Sequence, residues 1–546
     1  MQTVTMVLVL LLAVVVSGFL ARLSPVKLPL PLVQIAAGAA LSYAFGFNVP
    51  LDPEIFFLLF IPPLLFLDGW RIPKGAFFRD LRPILTLAIG LVIFTVVGMG
   101  VFIDWLIPAM PLAVAFALAA ILSPTDPVAV SAIASRAPIP SRLMHILEGE
   151  SLLNDASGLV CFRFAVAAAL TGGFSLTSAS WSFVQVAGGG LLVGIAVALV
   201  IGLANQQLVR FAGEDPGIQI LISLLIPFSA YLAAEHLHVS GILASAVAGI
   251  TMHYADLIGR PLATTRIQRH VVWDMLQMVL NGAIFVLLGE QLPGILAAAA
   301  KTAQSASIDD TWNLFVYVIL ITLALAALRF LWVWASLRLT LFRAPRSVDT
   351  GRRPFKRMLL VTAFAGVKGA ITLAGILTLP LTMSDGTPFP ARDLAIFLAM
   401  GVILLSLLIA SVALPLLTSG LEFAPQAPQG KKEGHARSAA AEAAIRRVEQ
   451  VRTAALRTNK EDPWMPEAAS RVIDLYRKRL DYGHAVQEES ERATAIADAE
   501  RRLRIEALRA ERDELYRLRI SGLIDDPLHQ RLLREIDLIE AALTRK

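Results

Sequence analysis

The sequence predicts an all-α polytopic membrane protein with a helical cytoplasmic tail, and three observations carry that prediction. Of the 546 residues, 56% are hydrophobic and the mean hydropathy is +0.66, far above a soluble chain of this length. The apolar residues gather into thirteen segments, each close to the ~20 residues that a helix needs to cross hydrocarbon. Basic residues then crowd into alternate connections, nineteen on one side against Lys301 and Arg392 on the other.

In chain order the segments cover 3–21, 28–46, 54–70, 83–107, 111–134, 143–170, 182–204, 217–236, 239–255, 271–298, 312–337, 358–380 and 393–419. The basic connections include Arg22 and Lys27, Arg71 to Arg82, Arg136 and Arg142, Arg210, Arg260 to Arg269, and Arg338 to Arg357. By the positive-inside rule that side is cytoplasmic, which places the N-terminus outside and the C-terminus inside a multi-pass protein of the cell (inner) membrane. Met1 to Met6 carry no positive charge, so the opening run suits a first span better than a signal peptide. A single cysteine, Cys161, excludes an intrachain disulfide framework and a cysteine-based zinc cluster. No cofactor, enzymatic activity or nucleic-acid partner is expected.

Residues 1–420 form the transmembrane domain, with the ion-binding core mainly in 83–170 and 312–419. Residues 421–436, containing PQAPQGKKEG, read as a linker. The remainder, 437–546, reads as a solvated helical hairpin, dense in Ala, Leu, Glu and Arg with opposite charges at i,i+4 spacing.

Two spans are interrupted. The fifth breaks at SPTDP, where Pro124 and Pro127 bracket Thr125 and Asp126 and defeat regular helix hydrogen bonding. The twelfth reads TAFAGVKGAITLAG, with Gly366, Gly369 and Gly375 around Lys368. The two enter the membrane from opposite sides, and paired interruptions point to inverted repeats with a binding site at the midplane. The fifth-span break and the sixth span together carry Asp126, Glu148, Glu150 and Asp155, ionisable groups that are expensive at membrane depth and mark an ion pathway by default.

Cations such as sodium prefer hard oxygen ligands. Thr125 offers a carbonyl and a hydroxyl, and Asp126 a carboxylate beside it. Helical spacing puts Glu148, Ser151 and Asp155 on one face of the sixth span and Glu150 with Asn154 on the next. A buried carboxylate is favoured neutral by desolvation and ionised by a bound cation, so it holds a proton or a cation but not both well. Duller roles exist for each group. Asp126 also suits capping of a half-helix starting at Pro127, Glu148 lies near the cytoplasmic end, and Lys368 suits a structural counter-ion. Arg163, Arg329, Asp274 and Glu290 sit in or beside spans as ion-pair candidates without assigned partners.

SPTDPVAV, EGESLLNDASG and GVKGAITLAG, with IPPLLFLDGW, VSGILASAVAG and NGAIFVLLGEQL, resemble in order the signatures of bacterial sodium–proton antiporters of the monovalent cation:proton antiporter family. The resemblance implies exchange of cytoplasmic Na+, with Li+ or K+ as alternatives, for external H+ by alternating access in a homodimer embedded in membrane lipid. It implies that Asp155 is the carboxylate for which cation and proton compete, that Thr125, Asp126 and Ser151 complete the Na+ site, and that Asn154-Asp155 is the electroneutral, one-for-one version of the motif. Glu150 would then pair with Lys368, which stands where the family usually has arginine; Asp68 matches an acidic position more loosely. The competing readings are a K+/H+ antiporter of the same fold, a cation channel, and an intramembrane hydrolase using Ser151 or Ser157. The last lacks a well-placed base, and paired broken helices suit alternating access better than a channel.

Overall fold

The computed structural model describes residues 2–24, 29–46, 53–126, 141–172, 176–259, 261–305, 312–341, 352–383, 385–418, 429–457, 464–484, 487–521, 523 and 526–544. Every named element is a helix. The expected half-helix from Pro127, the arginine at 136 and the connection at 342–351 lie outside the described residues. The chain divides into two compact units, Met1–Leu421 and Glu422–Lys546.

The first unit contains α1 (Gln2–Leu23), α2 (Leu30–Phe45), α3 (Pro53–Arg71), the short α4 (Lys74–Arg79) and α5 (Leu81–Leu106), which carries a π-helical stretch at Thr86–Leu91. Next come α6 (Leu112–Leu122), α7 (Ser141–Thr171), α8 (Leu176–Ala212), α9 (Pro216–His236), α10 (Gly241–Gly259) and α11 (Ala263–Ser305). The unit closes with α12 (Trp312–Leu341), the broken pair α13 (Arg352–Phe364) and α14 (Ala370–Leu377), and α15 (Arg392–Thr418). Among the described residues, eight helices are long and apolar enough to cross a membrane by length and composition: α1, α5, α7, α8, α9, α11, α12 and α15. The apolar helix α6 is shorter because it stops at the SPTDP break.

Lipid-like surroundings invert the usual burial pattern. Leu8, Leu12 and Phe19 of α1 and Leu192, Val200 and Leu203 of α8 are exposed, a continuous apolar exterior that a soluble monomer does not keep. Between helices no hydrophobic contrast with lipid exists, so close backbone approach does the packing. A Cβ on Gly38 of α2 would lie 1.9 Å from the Val286 carbonyl of α11, and one on Gly289 would lie 1.9 Å from the Ile35 carbonyl. Gly69 of α3 and Gly249 of α10 meet the same way, 2.1 Å from Ala246 O and 2.0 Å from Phe66 O. Lys74 Nζ donates to the carbonyls of Gly69 (2.9 Å) and Trp70 (2.5 Å), closing the end of α3. At the centre, the second half of α6 is apolar all round because it is enclosed all round, with Ala117, Leu118, Ala119, Ala120, Ile121 and Leu122 fully buried.

The second unit holds α16 (Gln429–Arg457), α17 (Met465–His484), α18 (Gln487–Ile520) and α19 (Asp526–Thr544). Helix α16 starts inside the stretch expected to be a linker. The lysines, glutamate and alanines that follow Gln429 are good helix formers, and Gly430 and Gly434 do not stop them. The hairpin of α18 and α19 is tied by Arg512 to Asp537 (2.7 Å) and Glu540 (2.5 Å).

The glycine contacts give a test. Gly289→Val forces α2 and α11 apart, beyond the ~1–3 kcal/mol of ordinary overpacking, whereas Gly18→Val meets nothing within 4 Å. Size-exclusion profiles of the detergent-solubilised variants are expected to lose the monodisperse peak only for Gly289→Val.

Candidate functional site

The site is built where two helix breaks meet. Helix α6 ends at Leu122, the Ser123 N–H turns back to Ala120 O (3.2 Å), and Pro124 has no N–H to give. The carbonyls freed by that break need partners, because water is not freely available to them. Lys368 supplies two: its Nζ donates to Ser123 O (3.2 Å) and Pro124 O (3.0 Å). Ser151 supplies the third, its Oγ donating to Thr125 O (2.6 Å).

Lys368 can do this because its own helix is broken. Helix α13 stops at Phe364, α14 begins at Ala370, and the non-helical residues between them reach Asp126. Asp126 N donates to Val367 O (2.8 Å) and Lys368 N to Ser406 Oγ of α15 (3.2 Å). Gly369 lets the Asp126 carboxylate approach, since a Cβ there would fall 1.9 Å from Oδ2. The ammonium of one segment thus sits at the C-terminal end of α6, and the carboxylate of the other at the N-terminal end of α14. Both favour the helix dipole they face.

Helix α7 packs across the break, with Gly158 against Pro124. Asn154 Nδ2 donates to Thr125 Oγ1 (3.0 Å), which donates on to Glu150 Oε1 (3.4 Å). Asp155 is 5% exposed, and its carboxylate makes no hydrogen bond or ion pair with any described residue. It opens on a cavity of about 40 Å3 that Asp68, Thr125, Asp126, Ser151, Asn281 and Thr372 also line. Asn154 Oδ1 is buried without a hydrogen-bond partner. One water needs roughly 10–15 Å3 of such space, so the cavity admits a small cation with little of its hydration shell, facing carboxylate, hydroxyl and amide oxygens.

The structure therefore brings Asp155, Asp126, Thr125, Ser151, Asn154 and Asp68 together. It does not bring in Glu148, which is half-exposed beside His145 at 3.5 Å. The expected Glu150–Lys368 pair is corrected. Glu150, 0% exposed, is held by Arg329 of α12 through Nη1 (2.5 Å) and Nη2 (2.8 Å), while Arg329 Nε donates to Thr362 O (3.0 Å). The chemistry explains the exchange of partners: a planar guanidinium makes the two-point contact with a carboxylate, and a compact ammonium suits convergent carbonyls. Two other unassigned groups find partners as well, Arg163 with Glu235 (3.0 Å) and Asp274 with Arg71.

Comparison with known proteins decides the family. The model of the transmembrane sodium/hydrogen exchanger family matches residues 7–420. The chain belongs to the sodium/hydrogen exchanger family. This exchanger is 44% identical over 543 residues to an uncharacterized Na(+)/H(+) exchanger of Escherichia coli K12, covering 98% of each chain. It is also 44% identical over 427 residues to a sodium, potassium, lithium and rubidium/H(+) antiporter of Bacillus pumilus, covering 77% of this chain and 62% of that one. Its fold is similar to the sodium proton antiporter of Methanocaldococcus jannaschii, with a TM-score of 0.60 at 18% identity over 77% of this chain and 99% of that one. The exchanger is accordingly a multi-pass membrane protein of a transporter family.

Two residues that line the cavity, and the partner of Glu150, were not assigned from the sequence. Arg329 was visible as a lone arginine in mid-span, but nothing in the sequence named its partner 179 positions away. Asn281 opens the NGAIFVLLGEQL stretch and Thr372 lies in the broken twelfth span, both inside motifs whose polar members could have been weighed singly.

Removing one partner of a buried pair costs about 3–5 kcal/mol. Arg329→Met and Glu150→Gln are each expected to lower the melting temperature sharply, and the double variant to lose clearly less than the sum. A cycle pairing Glu150→Gln with Lys368→Met is expected to show the smaller coupling.

Proposed function

We propose that this protein exchanges cytoplasmic Na+ for external H+ one-for-one, with the two ions competing for Asp155. The observation that carries the reading is the buried Asp155 carboxylate, without a partner among the described residues, open to a small oxygen-lined cavity at the crossing of two broken helices. Asp126, Thr125, Ser151 and Asn154 supply the further oxygens around Na+. A proton or a monovalent cation each neutralises one carboxylate, so either species in turn satisfies the buried charge, and neither binds well while the other is there. Glu150 is neutralised by Arg329 and takes no part.

The reading extends to the cell. The protein is a homodimer of the cell membrane with its C-terminus in the cytoplasm, and its exchange serves pH homeostasis. A second reading widens the cation range: the Bacillus pumilus relative is named for sodium, potassium, lithium and rubidium, and the same pocket is proposed to take K+ as well. Proteoliposomes with an internal pH dye, challenged with a cation series, decide between Na+-restricted and broad exchange.

Asp155→Asn is expected to reduce exchange below a hundredth of wild type while the protein still inserts and runs at its normal size. Wild-type rates in that variant would sink the assignment.

Stoichiometry is tested separately. Asn154 precedes Asp155, so the neighbouring position carries no charge in either crossing state. A cycle moving one cation against one proton does no net work on the membrane potential, where each uncompensated charge contributes about 2.3 kcal/mol per 100 mV. With the potential clamped by an ionophore, the equilibrium cation ratio at fixed pH gradient is expected to be independent of voltage.

A further inference from the structure

A second cavity, about 240 Å3, lies away from the ion site, under the two short connections α8–α9 and α10–α11. Its floor is crossed by a reciprocal amide pair, Asn205 Nδ2 to Gln219 Oε1 (2.7 Å) and Gln219 Nε2 to Asn205 Oδ1 (2.9 Å). Its walls carry two acids and two arginines: Glu214, Asp256, Arg210 and Arg269.

Both acids are already satisfied. Glu214 accepts from Leu262 N (3.0 and 3.1 Å) and from Thr265 Oγ1 (2.6 Å), capping the start of α11. Asp256 accepts from Arg269 Nη2 (2.6 Å) and Trp70 Nε1 (3.3 Å).

The buried arginine is not. Arg269 is 4% exposed, lies 5.0 Å over the Trp70 ring, and its Nε is buried without a hydrogen-bond partner. Of its five N–H donors, one is used in an ion pair with a described residue. Arg210 makes no hydrogen bond or ion pair with any described residue. A buried guanidinium with unused donors, such as that of Arg269, is costly, and with the exposed Arg210 lining the same cavity the group that suits both is a multi-oxygen anion.

The surroundings identify how that anion arrives. Leu208 and Phe211, flanking Arg210 on the last turns of α8, are 62% and 88% exposed, and Leu262 at the other connection is 51% exposed. Inside, Ile201, Ile222 and Ile226 line the part of the cavity away from the connections. Polar donors at the helix ends above apolar walls match the profile of a lipid headgroup over its acyl chains. Arg210 and Arg269 are among the basic residues that the positive-inside rule assigns to one membrane face, where anionic lipid attracts them further.

We infer that this cavity binds the headgroup phosphate of an anionic phospholipid between Arg210 and Arg269. The inference stands apart from the proposed ion exchange, and binding alone tests it.

The test is thermal unfolding of the purified full-length protein in neutral detergent, titrated with short-chain phosphatidylglycerol, phosphatidylcholine or inorganic phosphate. Phosphatidylglycerol is expected to raise the melting temperature saturably and phosphatidylcholine to do so at least tenfold more weakly. Arg210→Gln, an exposed substitution that leaves the Arg269–Asp256 pair intact, is expected to weaken the phosphatidylglycerol response about tenfold. Arg269→Lys serves as the second variant, keeping the charge against Asp256, and is expected to weaken it similarly. Arg22→Gln, which removes a basic residue elsewhere, is expected to change nothing. An unchanged response in both Arg210→Gln and Arg269→Lys would overturn the site. Equal stabilisation by inorganic phosphate would overturn the lipid assignment and leave a soluble-anion site.

Discussion

The transmembrane unit depends on one constraint: two helices stop in its interior, and every backbone group so released has to find a partner inside the protein. The solution is reciprocal. Lys368 on one broken segment covers the carbonyl end of α6, and Asp126 on the other faces the amide end of α14. One backbone hydrogen bond, Asp126 N to Val367 O at 2.8 Å, fixes the register in which both can happen. Neither interruption is tolerable alone, because each leaves exposed dipole ends that the other supplies charge to satisfy. The crossing is therefore a polar structure in which the Lys368 ammonium faces the carbonyl end of a helix.

Arg329 completes that balance. A carboxylate at Glu150, next to the crossing and fully buried, would be an uncompensated charge if left alone. Its bidentate contact to Arg329 neutralises it and ties α7 to α12. Thr125 links the two carboxylates' surroundings, taking a hydrogen bond from Asn154 and giving one toward Glu150. The hydroxyl proton is thereby directed away from Asp155, and an oxygen lone pair is what remains for the cavity side. The Glu150–Arg329 pair thus orients the Thr125 hydroxyl without lining the cavity.

Much of this was legible in the sequence, and the parts that were not share a cause. The breaks were readable because proline and glycine act locally, and the site carboxylates because a charge in an apolar run has no cheap alternative explanation. Partner choice was not readable. Lys368 and Arg329 are both basic residues in spans, and sequence spacing says nothing about which of them reaches Glu150 across 218 or 179 positions. Only the geometry of the donors separates them: a fork for the carboxylate, a point charge for the carbonyls. Asn281 was missed for a related reason, since a single amide in an apolar helix is as often satisfied within the core as presented to a ligand. The start of α16 at Gln429 shows the complementary limit, where prolines and glycines suggested a linker and the lysine- and alanine-rich run after them formed helix.

The cavity's two walls are held in different ways, and the difference bears on movement. Asp155, Asp126, Thr125 and Ser151 belong to the crossing and α7, tied together by directional hydrogen bonds. Asp68 and Asn281 come from α3 and α11, which are clamped to α10 and α2 through glycine contacts. Between the walls stand Leu64, Leu65 and Ile371, and neither Asp68 nor Asn281 makes a side-chain hydrogen bond to the crossing among the described residues. Apolar contact is non-directional and changes little in energy when one surface slides along another, whereas each hydrogen bond broken at such a surface leaves a buried group unpaired. The wall that carries Asp68 and Asn281 therefore meets the crossing through apolar contact at Leu64, Leu65 and Ile371, with the carboxylate-lined cavity between them.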